Sequence, residues 1–309
     1  MKPSIVVVGS SNTDMVVKAD YLPRPGETIL GGTFIMNAGG KGANQAVAAA
    51  RLGGNVTFVV KTGDDIFGQS AVKLFGAEGI DTSCAVADPT LPSGVALIAV
   101  DANGENSIVV ASGANAALRP ADLQNAAPKI EKAALLLVQL EIPLITVEYA
   151  INLAAKNKIK VVLNPAPALM LTDELLAKVS IITPNKTEAE LLSGIKVTSL
   201  KTAELAAKAI AAKGVETVIV TLGAQGALVH HNNECKLYPA PLCKAVDTTA
   251  AGDVFNGALA VALSEGKEIA GAVTFACQAA ALSVCKLGAQ SSAPYRVELD
   301  AALMAAGVN

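Results

Sequence analysis

From about residue 130 onward the chain alternates short apolar runs with helical stretches, and each run ends in polar or glycine residues. Leu135–Gln139 is followed by Glu141, Val161–Leu163 by Asn164-Pro165, Ile181–Thr183 by Pro184-Asn185, and Val218–Thr221 by Leu222-Gly223-Ala224-Gln225-Gly226. Strands joined through helices must cross over, so they lie parallel, and a parallel sheet needs helices on both faces. The pattern predicts an α/β fold whose polar strand ends share one edge, the edge at which open α/β sheets bind ligands.

The upstream half adds a second theme. Ser4–Val8 reads as a buried strand leading into the polar loop Gly9–Asp14. Met15–Lys18, Tyr21–Gly26 and Glu27–Met36 read as short strands and turns with no helix between them, a small β excursion suited to a lid. Val56–Val60 predicts a strand, Ile66–Glu78 a helix stopped at Gly79, and Cys84–Ala87, Gly94–Val100 and Asn106–Ala111 further strands, with Asn103-Gly104 as a hairpin turn. Some of these strands complete the lid.

Composition narrows the function classes. With 52% hydrophobic and 17% charged residues, the 309-residue chain is not a disordered one. A net charge of −3, no basic stripe and no Trp argue against a nucleic-acid partner. Ile269–Cys285 lacks charge but is Ala-rich and holds Thr274, Gln278 and Ser283; a membrane span needs about 20 strongly apolar residues, so a buried helix and no membrane partner are expected. The five cysteines form no C-x-x-C, and His230 and His231 alternate across a strand, so buried thiols in a reducing cytoplasm are expected, with no zinc site. Met-Lys-Pro-Ser and four apolar residues are too short for a signal peptide.

The most informative stretch is Lys244–Ser264. Ala245-Val246 reads as a strand end and Asp247-Thr248-Thr249 as a polar turn in which Thr248 or Thr249 caps the next helix. From Ala251, Val254, Phe255, Ala258, Leu259, Ala262 and Leu263 share one helical face. Ala250, Ala251 and Gly252 leave the backbone N–H groups open to a close ligand, and a helix N-terminus favours an anion. Asp253 sits in that first turn, where a carboxylate beside an anion hole suits phosphoryl transfer with Asp253 as the proton acceptor. The plainer reading is a carboxylate stabilising the helix dipole by ~0.3–1 kcal/mol.

Other polar clusters admit two readings each. Asn37–Asn44 (NAGGKGAN) opens a helix running to Leu52, with Lys41 and Asn44 one turn apart; they face one ligand, or this is a glycine loop with a surface lysine. It is not a Walker A loop, and no G-x-G-x-x-G follows the first strand, which disfavours a nicotinamide oxidoreductase. Asn185 and Glu188 hold the water shell of Mg²⁺, or form a capping box. Thr221–Gly226 cradles phosphates, or is a turn. Asn12, Asp14, Lys41, Asn44 and Glu141 together suit a polyol.

Taken as a pair, NAGGKGANQA (Asn37–Ala46) and DTTAAGDVFNG (Asp247–Gly257) resemble the two signatures of the ribokinase family of carbohydrate kinases, the phosphofructokinase B type. The likeness runs the length of the chain, through Asn12-Thr13-Asp14, Thr183–Glu188, Thr221-Leu222-Gly223 and Gly288-Ala289-Gln290, and its Gly-Lys-Gly-Ala-Asn-Gln form is similar to the ribose-phosphorylating branch rather than to fructose or adenosine kinases. The resemblance implies a three-layer α/β/α sandwich with a mostly parallel central sheet, as one domain over residues 1–309. It also implies a β lid from about 15–36 and 94–111 that joins two copies into a homodimer.

Further, it implies D-ribose held by Asn12, Asp14, Gly39, Gly40, Lys41, Asn44, Glu141 and Asp253, and ATP held by Asn185, Thr221, Gly223, Gly226 and Gly252, with adenine near the helix of Cys277. Catalysis would fall to Asp253 and the amides of Ala250, Ala251 and Gly252. Mg²⁺ would be ordered through water by Asn185 and Glu188, and K⁺ would sit at Asp247, Thr249, Ser283, Lys286, Gly288 and Ser292, largely on carbonyl oxygens. Two positions depart from the family: Cys277 stands where His is frequent and Lys286 where Arg is frequent. Competing readings are another small-sugar or nucleoside kinase of this fold (deoxyribose, fructose) and a sugar sensor without turnover.

Overall fold

A computed structural model describes residues 2–307. Its strands are β1 (Ser4–Val8), β2 (Asn12–Lys18), β3 (Thr33–Gly39), β4 (Asn55–Gly63), β5 (Ala85–Asp88), β6 (Gly94–Val100), β7 (Asn106–Ala111), β8 (Leu135–Val138), β9 (Lys160–Leu163), β10 (Ile181–Ile182), β11 (Thr217–Thr221), β12 (Ala227–His231) and β13 (Glu234–Tyr238). The helices are α1 (Lys41–Arg51), α2 (Ile66–Ala77), α3 (Ala127–Ile130), α4 (Leu144–Lys156), α5 (Asp173–Leu176), α6 (Lys186–Ser193), α7 (Leu200–Ala211), α8 (Ala251–Ser264), α9 (Ile269–Ser283) and α10 (Arg296–Ala305).

Nine strands form the central sheet in the order β13-β12-β11-β10-β9-β8-β1-β4-β5, parallel from β11 to β5 and antiparallel at the β12 and β13 edge. Period-two alternation splits the core. Val6, Val8, Leu136 and Val138 face α3–α7, while Ile5, Val7, Leu135 and Leu137 face α1, α2, α8, α9 and α10. Every side chain from Ile5 to Val8 is fully buried, and burial of each contributes about 1.5–3 kcal/mol. The result is a three-layer α/β/α sandwich, as expected. No described helix is long and apolar enough to cross a membrane; α9 packs Val273, Phe275 and Ala276 into the core instead.

The second sheet has the order β3-β2-β6-β7. The chain passes from β1 in the large sheet to β2 in the small one through Gly9–Ser11. Residues 19–32, read above as partly strand, form none. Pro23 and Pro25 lack the N–H a ladder needs, and Gly26, Gly31 and Gly32 take positive φ. Ala85–Asp88 joins the large sheet beside β4, not the small one.

Ala245-Val246 is not a strand end either. Pro239 and Pro241 stop the sheet after β13, and the Val246 and Asp247 N–H groups donate to Val284 O at 2.7 and 3.2 Å. The thiols divide as well: Cys84 and Cys277 are buried and Cys235 half-buried, whereas Cys243 and Cys285 are exposed.

Candidate active site

Helices α1 and α8 touch near their first turns. A Cβ added at Gly257 would lie 2.7 Å from Gln45 O and 2.8 Å from Ala48 Cβ, so only glycine lets the two backbones come this close. One turn earlier on α8, Asp253 is buried against α1. Its Oδ2 accepts from Asn44 Nδ2 and its Oδ1 from Gln45 Nε2, each at 2.9 Å. Gln45 is oriented in turn, because its Oε1 accepts from Gln139 Nε2 at 2.6 Å and its amide nitrogen also donates to Asn164 Oδ1 at 3.1 Å. Burial pushes the Asp253 carboxyl up; Lys41 and the two amide donors oppose this, Glu141 adds to it, and the balance is a raised pKa. The Oδ1 of Asn44 is buried without a partner.

The start of α8 differs from the expectation. Neither Thr248 nor Thr249 caps it. The N-cap is Ala250, held in the left-handed region at φ 57° with no side-chain cap bond, a conformation costing a non-glycine residue about 1–2 kcal/mol. Among the described residues, the N–H groups of Gly252 and Asp253 have no hydrogen-bond partner. A Cβ at Gly252 would meet nothing within 4 Å, so that flank of the helix start is open.

The N-terminus of α1 is occupied by contrast. Glu141 Oε2 accepts from Lys41 N at 3.0 Å and from Ser10 Oγ at 2.6 Å. Burial lowers the pKa of the Lys41 ammonium, but Asp253, Glu141 and Glu188 outweigh it and hold the group charged. Asp14, on β2, is pushed up to about 6, first by burial and then by Glu141 and Asp253. Asn12, at the start of β2, accepts from Asn115 Nδ2 at 2.8 Å. A Cβ at Gly39 would lie 2.3 Å from an Asp14 carboxylate oxygen, and Gly40 has φ 88°, so these glycines are required by the tight approach of β3 and α1 to β2. Asn12, Asp14, Gly39, Gly40, Lys41, Asn44, Glu141 and Asp253 thus line one polar region at the strand ends.

A second group lies near enough for Glu188 to act on Asp253 and Lys41. Asn185 and Glu188 form a reciprocal capping box: Asn185 Oδ1 accepts from Glu188 N at 2.9 Å, while Glu188 accepts from Asn185 N and Nδ2, both at 2.8 Å. Burial raises the Glu188 pKa, Asn185 N–H and Lys41 oppose it, and Asp253 adds to it. Thr221 pairs with Asn185 across an isolated bridge, and its N–H donates to Pro184 O at 2.9 Å. Gly223 opens a tight 3-10 turn that Gly226 closes. A relay joins the two groups: Asn164 donates to Thr183 O at 3.4 Å, Thr183 Oγ1 to Asn256 Oδ1 at 2.7 Å, and Asn256 Nδ2 to Gly252 O at 2.8 Å. Cys277 packs into the core from α9, its thiol pushed up to about 12 by burial.

Asp247, Thr249 and Gly288 also meet. Asp247 accepts from Thr249 N at 2.9 Å and from Gly288 N at 2.8 Å. Burial raises its pKa, but these bonds outweigh burial and lower it. Ser283 and Ser292 spend their hydroxyl protons on Ala280 O and Ala289 O, and Lys286 turns away to pair with Glu298 at 2.6 Å. Sequence reasoning missed Ser10, Gln45, Asn115, Gln139, Asn164, Thr183 and Asn256, all of them buried polar residues. Their shared signal is an amide or hydroxyl at a strand end or beside a candidate residue.

Residues 2–296 match the model of the pfkB family carbohydrate kinases. The chain belongs to the pfkB family of carbohydrate kinases. This pfkB chain is 47% identical to a ribokinase of Haemophilus influenzae over 96% of its own length and 97% of the relative's. It is 40% identical to a deoxyribokinase of Salmonella typhi, over 94% and 95% of the two chains. Among solved structures, a ribokinase of Arabidopsis thaliana complexed with ribose and ATP superposes with a TM-score of 0.93 at 33% identity, covering 98% of this chain and 99% of that one.

Proposed function

We propose that this pfkB kinase transfers the γ-phosphoryl group of ATP to the 5-hydroxyl of D-ribose, giving ribose 5-phosphate and ADP. The observation that carries the reading is the buried Asp253 carboxylate, gripped at both oxygens by amide donors in the first turn of a helix whose Gly252 and Asp253 N–H groups have no partner among the described residues. A carboxylate held there accepts the hydroxyl proton, and a raised pKa brings its basicity nearer the working pH. The unpartnered amides of Gly252 and Asp253 and the Lys41 ammonium stabilise charge on the phosphoryl oxygens, whereas the Ala251 N–H already donates to Thr248 O at 3.3 Å. Asn12, Asp14, Gly39, Gly40, Lys41, Asn44 and Glu141 hold the sugar, and the unpartnered Asn44 Oδ1 accepts from one of its hydroxyls. Asn185, Thr221, Gly223, Gly226 and Gly252 hold the phosphates of ATP, and α9 near Cys277 flanks the adenine. The ribose and deoxyribose kinases among the relatives support a pentose.

Mg²⁺, when bound, neutralises charge on the phosphate oxygens. No three His, Cys, Asp or Glu side chains among the described residues converge on a metal position. Glu188 already accepts from Asn185 at both oxygens. This fits an ion held by ATP and water, with Asn185 and Glu188 as partners of its waters. The Ser283 carbonyl already accepts from Lys286 N at 3.0 Å, and the carbonyl oxygens of Asp247, Thr249, Lys286, Gly288 and Ser292 are the kind of ligand that suits K⁺.

One coupled assay of ADP formation tests the reading, with ribose, 2-deoxyribose, fructose and adenosine as acceptors in K⁺ or Na⁺. Ribose in K⁺ is expected to be fastest. Faster turnover of 2-deoxyribose would reassign the substrate, equal rates in the two salts would remove the K⁺ site, and no ADP with any acceptor would sink the kinase reading.

Asp14 gives a pH test. Its pKa near 6 lies above the ordinary carboxylate range, so it gains a proton as pH falls through about 6 and then no longer offers a charged acceptor to the sugar. The KM for ribose is expected to rise below that pH in the wild type and to lose this dependence in Asp14→Asn. A KM that is flat with pH in the wild type refutes the contact.

The small sheet serves as the lid and the dimer contact. By register, Val17, Phe34, Met36, Leu97 and Val109 lie on the face opposite Asp14, and all are between 42% and 64% exposed. Five such side chains on one face form an apolar patch that a second copy covers. Phe34→Glu is expected to convert a dimer into a monomer by sedimentation equilibrium; a mass that does not change removes this interface.

A further inference from the structure

We propose that Cys243 and Cys285 form a redox-active dithiol, which a low-molecular-weight disulfide such as glutathione disulfide converts into an intramolecular disulfide. Cys243 lies in the irregular segment between β13 and α8, and Cys285 lies just past α9. Both are free and exposed; the Cys285 thiol donates to Ala281 O at 3.3 Å, and Cys285 is close enough to act on the Cys243 thiol. The backbone imposes this proximity. Val284 O accepts from the N–H groups of both Val246 and Asp247, and Gly288 N donates to Asp247 Oδ2, so the two segments run side by side. The other cysteines are poor partners: Cys84 and Cys277 are buried, and Cys235 is half-buried on β13.

The exchange balances as follows. The thiolate of Cys285 attacks one sulfur of the oxidant and expels one small thiol. The Cys243 thiolate then attacks the Cys285 sulfur of the mixed disulfide and expels the second. The protein loses two protons and two electrons, and the oxidant takes them up as two thiols. Burial and then the neighbouring Cys285 hold the Cys243 thiol above its usual range, so less of it is thiolate at neutral pH. The bond ties the segment carrying Asp247 and Thr249 to the turn carrying Gly288. Its effect on K⁺ dependence therefore rests on the proposed ion site, whereas closure of the disulfide does not.

The test treats the full chain with glutathione disulfide and maps it by non-reducing tryptic digestion. The expected result is a loss of two hydrogens in the intact mass and a cross-link between the peptides ending at Lys244 and Lys286, reversed by dithiothreitol, abolished in Cys243→Ser and in Cys285→Ser, and retained in Cys277→Ser. The oxidised chain also melts a few degrees higher, because the tether restricts the unfolded state. A stable glutathione adduct without closure, a link through another cysteine, or no reaction overturns the dithiol. A closed disulfide that leaves the K⁺ requirement of the kinase assay unchanged overturns only the coupling to the ion site.

Discussion

Asp253→Asn lowers kcat by roughly 10²–10⁴-fold, the usual contribution of a positioned general base, while the melting temperature holds. The substitution removes the proton acceptor and keeps the shape. A neutral amide is no costlier to bury than a carboxylate whose charge burial already disfavours. The one new conflict is between the added NH₂ group and the amide donors of Asn44 and Gln45. Asn44 can relieve it by turning its amide over, which offers the buried and otherwise unpartnered Oδ1 as acceptor. Steady-state kinetics and a thermal melt check both halves. Turnover close to wild type would remove Asp253 from the chemistry.

Gln45→Met has the next largest effect, through Asp253. Methionine matches the volume but cannot donate to Asp253 Oδ1 or Asn164 Oδ1, nor accept from Gln139 Nε2. A hydrogen bond to a charged group contributes about 1.5–3 kcal/mol, so kcat is expected to fall roughly 10–10²-fold. The sign of the pH effect follows from the same bond. Its donor favours the ionised carboxylate, so its loss moves the Asp253 pKa further up, and the acid limb of the kcat profile shifts to higher pH. The neighbouring charges of Lys41, Asp14, Glu141 and Glu188 are untouched. Part of the lost rate therefore returns in alkaline buffer, and KM for the sugar changes little. A fall in kcat with no movement of the acid limb would mean that Gln45 only supports the fold.

Much of this site was readable before any coordinates. The apolar stripe of α8, the small residues at its start and the glycines before α1 are local signals, and the helices form where those signals lie. Other features were ambiguous for a physical reason. Asn185 and Glu188 at i and i+3 suit a cap or a metal's waters equally, and the structure shows the cap. Thr248 and Thr249 are good capping residues, yet the left-handed turn at Ala250 carries them past the helix end. Cys243 and Cys285 resemble any buried thiol in sequence, and only the path of the chain after β13 exposes them.

By itself the sequence determined the elements, because hydrophobic period, glycine and proline act over a few residues. It also determined that polar groups gather at one sheet edge, because parallel strands all end there. Only the tertiary structure decided which of those groups touch. Asn44 and Asp253 stand 209 residues apart in the chain and 2.9 Å apart in space. That meeting depends on the close packing of α1 on α8 at Gly257, and no local propensity encodes a distance between helices.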